Sequence, residues 1–474
     1  MAVPTTLPTA KDGRYPVFNA ATGQLLAEVQ DYSPDDVESV VERAEGASQD
    51  WRRLGATQRG EQVASFGRAV SEAADELARL DAINAGNPIK GMRRGALQGA
   101  RTLEYFAGLA LQLTGETIPA TRDHLHYTVR VPYGVVGVIT PFNHPTLFAT
   151  ARSAAALVAG NAVVLKPAHQ TPMSALRLAE IAAEHLPTGV FSVITGGAGT
   201  GSALVRHPRL RRIGFTGGVP TALRIAADAA ASGVIKKVTY ELGGKNPMVA
   251  LPDADPELVA RAAVEGMNLT RVLGQSCGST SRLFVHASLH DRVVARVAEL
   301  LGELRFGPPD EEATELGCLV SEQQRGRVEE FVAAGKREGA RLLLGGQRPE
   351  DPPFDRGFYY PPTLFDRVDP RMTIAREEIF GPVLSVIAWD DDAQMLKAVN
   401  DSRYGLTASI YTNDLRSAHR LADAIEAGYI WINDVEKRWI GVPFGGLKDS
   451  GTGTEYSIEE LYSYSQNKSV SVLL

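Results

Sequence analysis

The first clear periodicity in the chain begins at Ser33-Pro34-Asp35-Asp36, after which apolar residues recur at Val37, Val40, Val41 and Ala44. A hydroxyl side chain ahead of a proline and two acids marks a helix start, and the three-and-four spacing lays down one apolar face. Helices are therefore expected across 34–84 and again across 87–114. Further on the period shortens to two. Thr121, His124, His126, Thr128 and Arg130 interleave with Leu125, Tyr127, Val129 and Val131, which suits strands over 119–132. Residues 464–474 are strand-like as well. A lone ribbon is marginal in water, so these two segments are expected to pair with each other or with another subunit.

From 134 to 244 short apolar runs (134–140, 161–166, 190–195, 212–216 and 237–242) alternate with helix-length segments (146–159, 172–185, 199–206 and 219–232). Strands separated by such helices form parallel βαβ units with right-handed crossovers. Ligands of these sheets bind where loops leave the carboxyl ends of the strands. Pro141-Phe142-Asn143, Lys166-Pro167-Ala168 and Gly214-Phe215-Thr216-Gly217-Gly218 sit at those ends, where a dinucleotide would lie. Residues 253–445 repeat the alternation less regularly, with strands expected at 281–286, 383–388 and 408–411 and a helix at 288–304. This reads as a second α/β domain, its boundary near Gly243-Gly244.

Length and charge narrow the classes. With 474 residues the chain exceeds one ordinary core, and two or three domains are expected. A net charge of -7 argues against a general nucleic-acid binder. Arg206, Arg209, Arg211 and Arg212 cluster around Pro208, and a solvated turn is expected there. The longest stretch without a charged side chain, 131–151, is broken by Pro132, Pro141 and Pro145, so no membrane span is expected. Met1 to Gly13 has no apolar core of a leader peptide. Two cysteines make no disulfide framework, which favours a reducing compartment, the cytoplasm.

Standard phosphate-binding motifs are missing. Gly197-Ala198-Gly199-Thr200-Gly201 has the wrong spacing for G-x-G-x-x-G, and Lys245-Asn246 is no Walker A end. Cys277, in Gly274-Gln275-Ser276-Cys277-Gly278, is flanked by glycines that allow close approach. On residues alone, a nucleophile and a buried structural thiol are equally open there. Cys318 reads as an ordinary buried thiol. The same five residues match G-x-S-x-G with Ser276 as nucleophile, but that elbow follows a strand and precedes a helix, and here the order is reversed. His124 and His126 read as strand residues, and no metal site is expected.

Six segments in order resemble the aldehyde dehydrogenase superfamily: Pro141-Phe142-Asn143-His144-Pro145, the stretch from Gly160 to Pro167, Glu241-Leu242-Gly243-Gly244-Lys245-Asn246-Pro247, Gly274-Gln275-Ser276-Cys277, Glu378-Ile379-Phe380-Gly381-Pro382, and the stretch from Pro443 to Gly451. The resemblance spans essentially the whole chain. It implies a parallel-sheet, Rossmann-like NAD(P)-binding domain (1–115 with 134–243), an α/β catalytic domain (244–445), and a small β arm for oligomerisation (116–133 with 455–474). A homodimer or homotetramer is implied too.

The implied activity is oxidation of a small-molecule aldehyde to its acid. Cys277 would attack as thiolate, since the free carbonyl is a poor hydride donor. By the family's pattern, the Asn143 amide and the Cys277 backbone N–H stabilise the oxyanion, and Glu241 activates the water that hydrolyses the thioester. Arg152 stands where relatives carry lysine, and Glu455 completes the resemblance to a proton path. Arginine essentially never deprotonates, so a relay through Arg152 is not assured, and Arg152 suits holding Glu455 or a water in place.

For the cofactor the resemblance points to Thr140, Pro141, Phe142, Lys166 and Pro167, then to Gly217, Gly218, Leu242 and Gly243, with Glu378 and Phe380 at the nicotinamide end. His169 stands where many NAD-preferring relatives have glutamate; a carboxylate repels a 2′-phosphate and a histidine does not, so relaxed preference or a tilt to NADP is expected. Towards the aldehyde, His144, Leu147, Arg271, Arg438, Trp439 and Phe444 are placed by position. Arg271 and Arg438 suit an anionic tail, although solvent-exposed guanidinium groups are the commoner outcome and are expected here. Aromatic, aliphatic and carboxylated aldehydes all stay open. So do the serine hydrolase through Ser276 and a family member without catalysis.

Overall fold

A computed structural model describes residues 13–474. The N-terminal stretch read as leader-free lies outside the described residues, Gly13 excepted.

The expected helical region resolves into Pro34–Arg53, Ala56–Glu72, Ala74–Ala85 and Ile89–Gly108. Ser33 caps the first, its Oγ accepting from Asp36 N while Ser33 N donates to the Asp36 carboxylate. Val37, Val40, Val41, Ala44 and Trp51 form the buried face, and Trp51 Nε1 donates 2.9 Å to Leu157 O. The third helix stops at Gly86, whose φ of 80° few other residues tolerate.

The five strands expected between 134 and 244 are Val135–Ile139, Ala162–Lys166, Phe191–Val193, Arg212–Thr216 and Lys237–Glu241. They are parallel, and numbered along the chain their order across the sheet is 3-2-1-4-5. The order reverses between Val135–Ile139 and Arg212–Thr216, and a crevice opens beyond the strand ends at such a point. Gly451–Thr452 adds a short antiparallel edge beside Glu241. Pro145–Val158, buried on every side, runs behind this sheet, as a helix apolar all round must.

The second sheet has seven strands, from Arg341–Leu344 at one edge through Thr363–Asp366, Val383–Trp389, Arg282–His286, Pro247–Ala250 and Thr407–Tyr411 to Tyr429–Ile432. All are parallel except the edge strand Arg341–Leu344. Around it gathers a core that includes Met248, Phe284, Leu364, Val386 and Ile410.

A third sheet joins the two ribbon segments. Ser465–Leu473 lies antiparallel to His124–Pro132, which also pairs with Thr117–Ile118. Of the alternatives left open, pairing with each other is the one realised. Three expectations need correction. Strand structure begins at His124 and not at 119, because residues 119–123 turn. The arm over 455–474 is not all strand, since Ile458–Ser463 is helical and buries Leu461 in the core behind the first sheet. The arginine cluster is not uniformly solvated: Arg212 is buried over the Tyr464 ring, 4.4 Å from its centroid, and donates to Thr239 and Ser463. The hairpin Arg14–Phe18 with Leu25–Gln30 was not anticipated.

Candidate active site

At the reversal of strand order lies a cavity of about 900 Å³. Every residue proposed for the cofactor lines it: Thr140, Pro141 and Phe142 after the first strand; Lys166, Pro167 and His169 after the second; Gly217 and Gly218 after the fourth; Leu242 and Gly243 after the fifth; and Glu378 and Phe380 from the second sheet's side. Cys277, Glu241 and Asn143 lie on the same wall.

Cys277 is delivered by a tight loop. The short helix Leu269–Val272 ends in two left-handed residues, Leu273 and Gly274 at φ 49° and 75°, which turn the chain inward. Asn246 Nδ2 then donates to both Cys277 O (2.7 Å) and Ser279 O (2.9 Å), fixing the loop. Cys277 Sγ lies 3.8 Å from Glu241 Oε1. Burial pushes the thiol pKa up, and Arg438 is the foremost group acting the other way.

Glu241 ends the fifth strand, its carboxylate almost wholly buried. Arg152, from the buried helix Pro145–Val158, pairs with Glu241 Oε2 through Nη2 and with Glu455 through Nη1. One carboxylate oxygen of Glu241 is thus held while the other faces sulfur. Beneath them Glu460, also buried, accepts 2.7 Å from Tyr456 N, and burial followed by Glu455 raises its pKa.

Asn143 sits in the turn between the first strand and Pro145–Val158, its carbonyl held by Asn87 Nδ2 at 2.9 Å. Its Nδ2 donates 2.7 Å to Gln275 O, which leaves a second N–H of the amide unassigned, and its Oδ1 is buried without a partner.

The cavity's polar complement fits an extended anionic dinucleotide. Gly218 caps the N-terminus of the helix Val219–Ala231, whose first amides and dipole favour phosphate. Thr140 Oγ1 is buried in the wall with no partner. Glu378 receives Gly244 N at 3.1 Å, and burial raises its pKa to about 7. Phe380, at φ 61° and half-buried, meets Phe142 edge to face at 5.5 Å between centroids. Lys166 is pushed down to about 8 and His169 to about 4, both by burial, so His169 is neutral at pH 7.

Of the residues placed near the aldehyde, Leu147 and Phe444 are buried around Cys277 together with Tyr456, whereas Trp439 is 64% exposed. The expected solvent-exposed arginines are not found: Arg271 and Arg438 are both partly buried, and Arg438 Nη2 lies against Gly278 beside the nucleophile. Sequence reasoning passed over Gly197, Ala198 and Gly201, whose spacing had ruled them out as a fingerprint but which line the cavity, along with Arg224, Gln324 and Arg327. The glycines carried a signal; the others, on exposed-looking helices, did not. His124 and His126 stack 5.6 Å apart on their strand, and among the described residues no group of three metal-ligating side chains gathers.

This geometry has known counterparts. The model of the aldehyde dehydrogenase family matches residues 8–470. The chain belongs to the aldehyde dehydrogenase family. Among curated members, aldehyde dehydrogenase tropH of Talaromyces stipitatus is 43% identical over 470 residues, covering 98% of this chain and 91% of its own. The NAD+ complex of the Bacillus cereus aldehyde dehydrogenase superposes with a TM-score of 0.93 at 35% identity, over 97% of this chain and 93% of that one. An NAD-dependent aldehyde dehydrogenase from Sinorhizobium meliloti gives 0.92 at 36% identity, covering 97% and 91%. Like them, the chain has the family's mixed α/β fold. Among the described residues no helix is long and apolar enough to cross a membrane.

Proposed function

We propose that this chain oxidises an aldehyde to the carboxylic acid through a thioester on Cys277, with NAD(P)+ held in the dinucleotide cavity. The observation that carries this reading is the meeting of Cys277 Sγ with Glu241 Oε1 at 3.8 Å on the wall of that cavity. The chemistry that bound NAD(P)+ supplies is hydride acceptance.

The chain's own residues do the rest. Cys277 attacks the aldehyde carbon as thiolate, its proton leaving to Glu241 or water, and gives a thiohemiacetal. The free N–H of Asn143 and the Cys277 backbone N–H meet the oxyanion, and one such donor is worth about 3 kcal/mol. Loss of hydride leaves the acyl group on sulfur. Glu241, once any proton taken from Cys277 has left to cavity water, accepts at Oε1 a proton from the water that attacks the thioester; the acid is released and that proton returns to the departing thiolate. Arg152 cannot pass a proton on, so its part is to pin Glu241 Oε2 and aim Oε1.

His169 bears on cofactor choice as a neutral group. It brings neither the carboxylate that repels a 2′-phosphate nor a charge that attracts one, which supports relaxed use of NAD and NADP. The ribbon supports subunit contact: Leu125 faces Val472 across the ladder, both are exposed, and Val129 extends the same face. The hydrolase alternative gains nothing, since Ser276 Oγ merely accepts from Gly278 N at 3.3 Å and a strand, not a helix, follows it.

The test is near-ultraviolet absorbance of reduced cofactor across aliphatic, aromatic and carboxylated aldehydes, with NAD and with NADP. Wild type should reduce cofactor and Cys277→Ala should not. Asn143→Ala should lose about 10²–10³-fold in kcat, and Glu241→Gln should give a burst of one reduced cofactor followed by slow turnover. Survival of activity in Cys277→Ala would sink the thioester.

A further inference from the structure

Arg438 does not line the dinucleotide cavity but lies against the loop that carries Cys277. Its guanidinium lies over the Phe444 ring, 4.3 Å from the centroid. A Cβ built on Gly278 would strike Arg438 Nη2, so the guanidinium is pressed against the residue that follows the nucleophile. Among the described residues it makes neither a hydrogen bond nor an ion pair, and its Nε is buried without a partner. Glu436, the acid that acts most strongly on it, does so through space, and Glu436 Oε1 is itself buried and unpartnered. Glu436 is the nearest acid, yet it makes no hydrogen bond or ion pair with Arg438, which leaves the guanidinium donors open to a ligand carboxylate.

The surroundings reinforce this. Arg271 stands near enough that it and Arg438 both act on His144, which burial and these two charges push down to about 3. His144 therefore adds no charge of its own and leaves Nδ1 buried without a partner. Burial raises the pKa of Glu436, and Arg438 is the foremost group acting the other way.

We propose that Arg438 anchors a carboxylate on the substrate, so that the favoured aldehyde is a short aldehyde acid and not a hydrocarbon aldehyde. The reach is short because Gly278 adjoins Cys277 and consecutive Cα atoms are about 3.8 Å apart. A planar fork stacked on Phe444 suits a carboxylate, which it can take with two parallel N–H donors. This inference rests on the dehydrogenase reading above and adds the substrate's chemical class.

The experiment compares matched pairs, butanal with succinic semialdehyde and benzaldehyde with 2-carboxybenzaldehyde, in wild type, Arg438→Gln and Arg438→Lys. The expected result is a higher kcat/KM for at least one carboxylated partner in wild type. Arg438→Gln should lower the ratio of carboxylated to neutral kcat/KM at least about tenfold, mainly through KM, with partial recovery in Arg438→Lys. In parallel, the carboxylated aldehyde should raise the melting temperature of Cys277→Ala but not of Cys277→Ala with Arg438→Gln. A ratio unchanged by Arg438→Gln, with an altered pH dependence of Cys277 alkylation, would assign Arg438 to the thiolate and overturn the anchor. Oxidation of neutral aldehydes alone would also overturn it while leaving the dehydrogenase reading intact. No cofactor reduction with either partner would overturn both.

Discussion

Arg152 is shared by two carboxylates, and a third, Glu460, lies beside them, so the buried cluster has more acid than base. Removing Arg152 leaves the buried Glu241 and Glu460 and the partly exposed Glu455 without their shared counter-charge. Arg152→Leu is expected to cost about 3–5 kcal/mol in unfolding free energy, read by urea denaturation, beyond any effect on turnover. On the cofactor assignment proposed above, Glu378 would set the pH dependence of cofactor binding. Burial raises its pKa to about 7, and only the ionised carboxylate can accept from both hydroxyls of a ribose. Affinity should therefore rise with pH up to about 7 and level off above it, and fall as the group protonates below. Calorimetric titration of NAD+ between pH 6 and 8 checks this, and Glu378→Gln should flatten the curve. The pairing of Arg152 with Glu455 was legible through the family resemblance, but its hold on Glu241 was not. Arg152 and Glu241 are 89 positions apart, and only the fold shows that the arginine replacing a family lysine spans two acids.

At the level of elements, the helix Pro145–Val158 begins on a borrowed cap. Thr146 N donates 3.1 Å to Asp81 Oδ2 from the neighbouring helix Ala74–Ala85, and the turn holding Asn143 sits just ahead. Asp81→Ala should cost about 1–2 kcal/mol of stability, measured by chemical denaturation, and should lower kcat because Asn143 sits in the turn just ahead of this helix end. Elements were the most legible level. All five parallel strands and the helices between them could be located from alternating short apolar runs and longer segments, since burial on both faces leaves that imprint. The hairpin Arg14–Phe18 with Leu25–Gln30 left no comparable imprint, because Leu25 and Leu26 point to solvent and break the alternation. Nor does periodicity tell that Ile458–Ser463 would turn helical just before the last strand.

For the whole molecule, the ribbon has two faces of different character. Along one run Leu125, Tyr127 and Val129 with Val470 and Val472 opposite, while the other carries His126, Thr128 and Arg130 against Ser471, Ser469 and Asn467. An apolar stripe left in solvent on this sheet suits the subunit contact proposed above, with a second copy of the chain as its cover. Val472→Asp is expected to shift the mass in solution, measured by light scattering, from a multiple of 50.9 kDa towards the single-chain value.

The other thiol has a practical meaning of its own. Cys318 is fully enclosed, packed where a Cβ on Gly86 would touch its sulfur, and burial drives its pKa far up. Only one sulfur per folded chain can then react with an alkylating reagent at neutral pH. The moles of label taken up before unfolding count the competent sites in a preparation directly, without knowledge of the substrate.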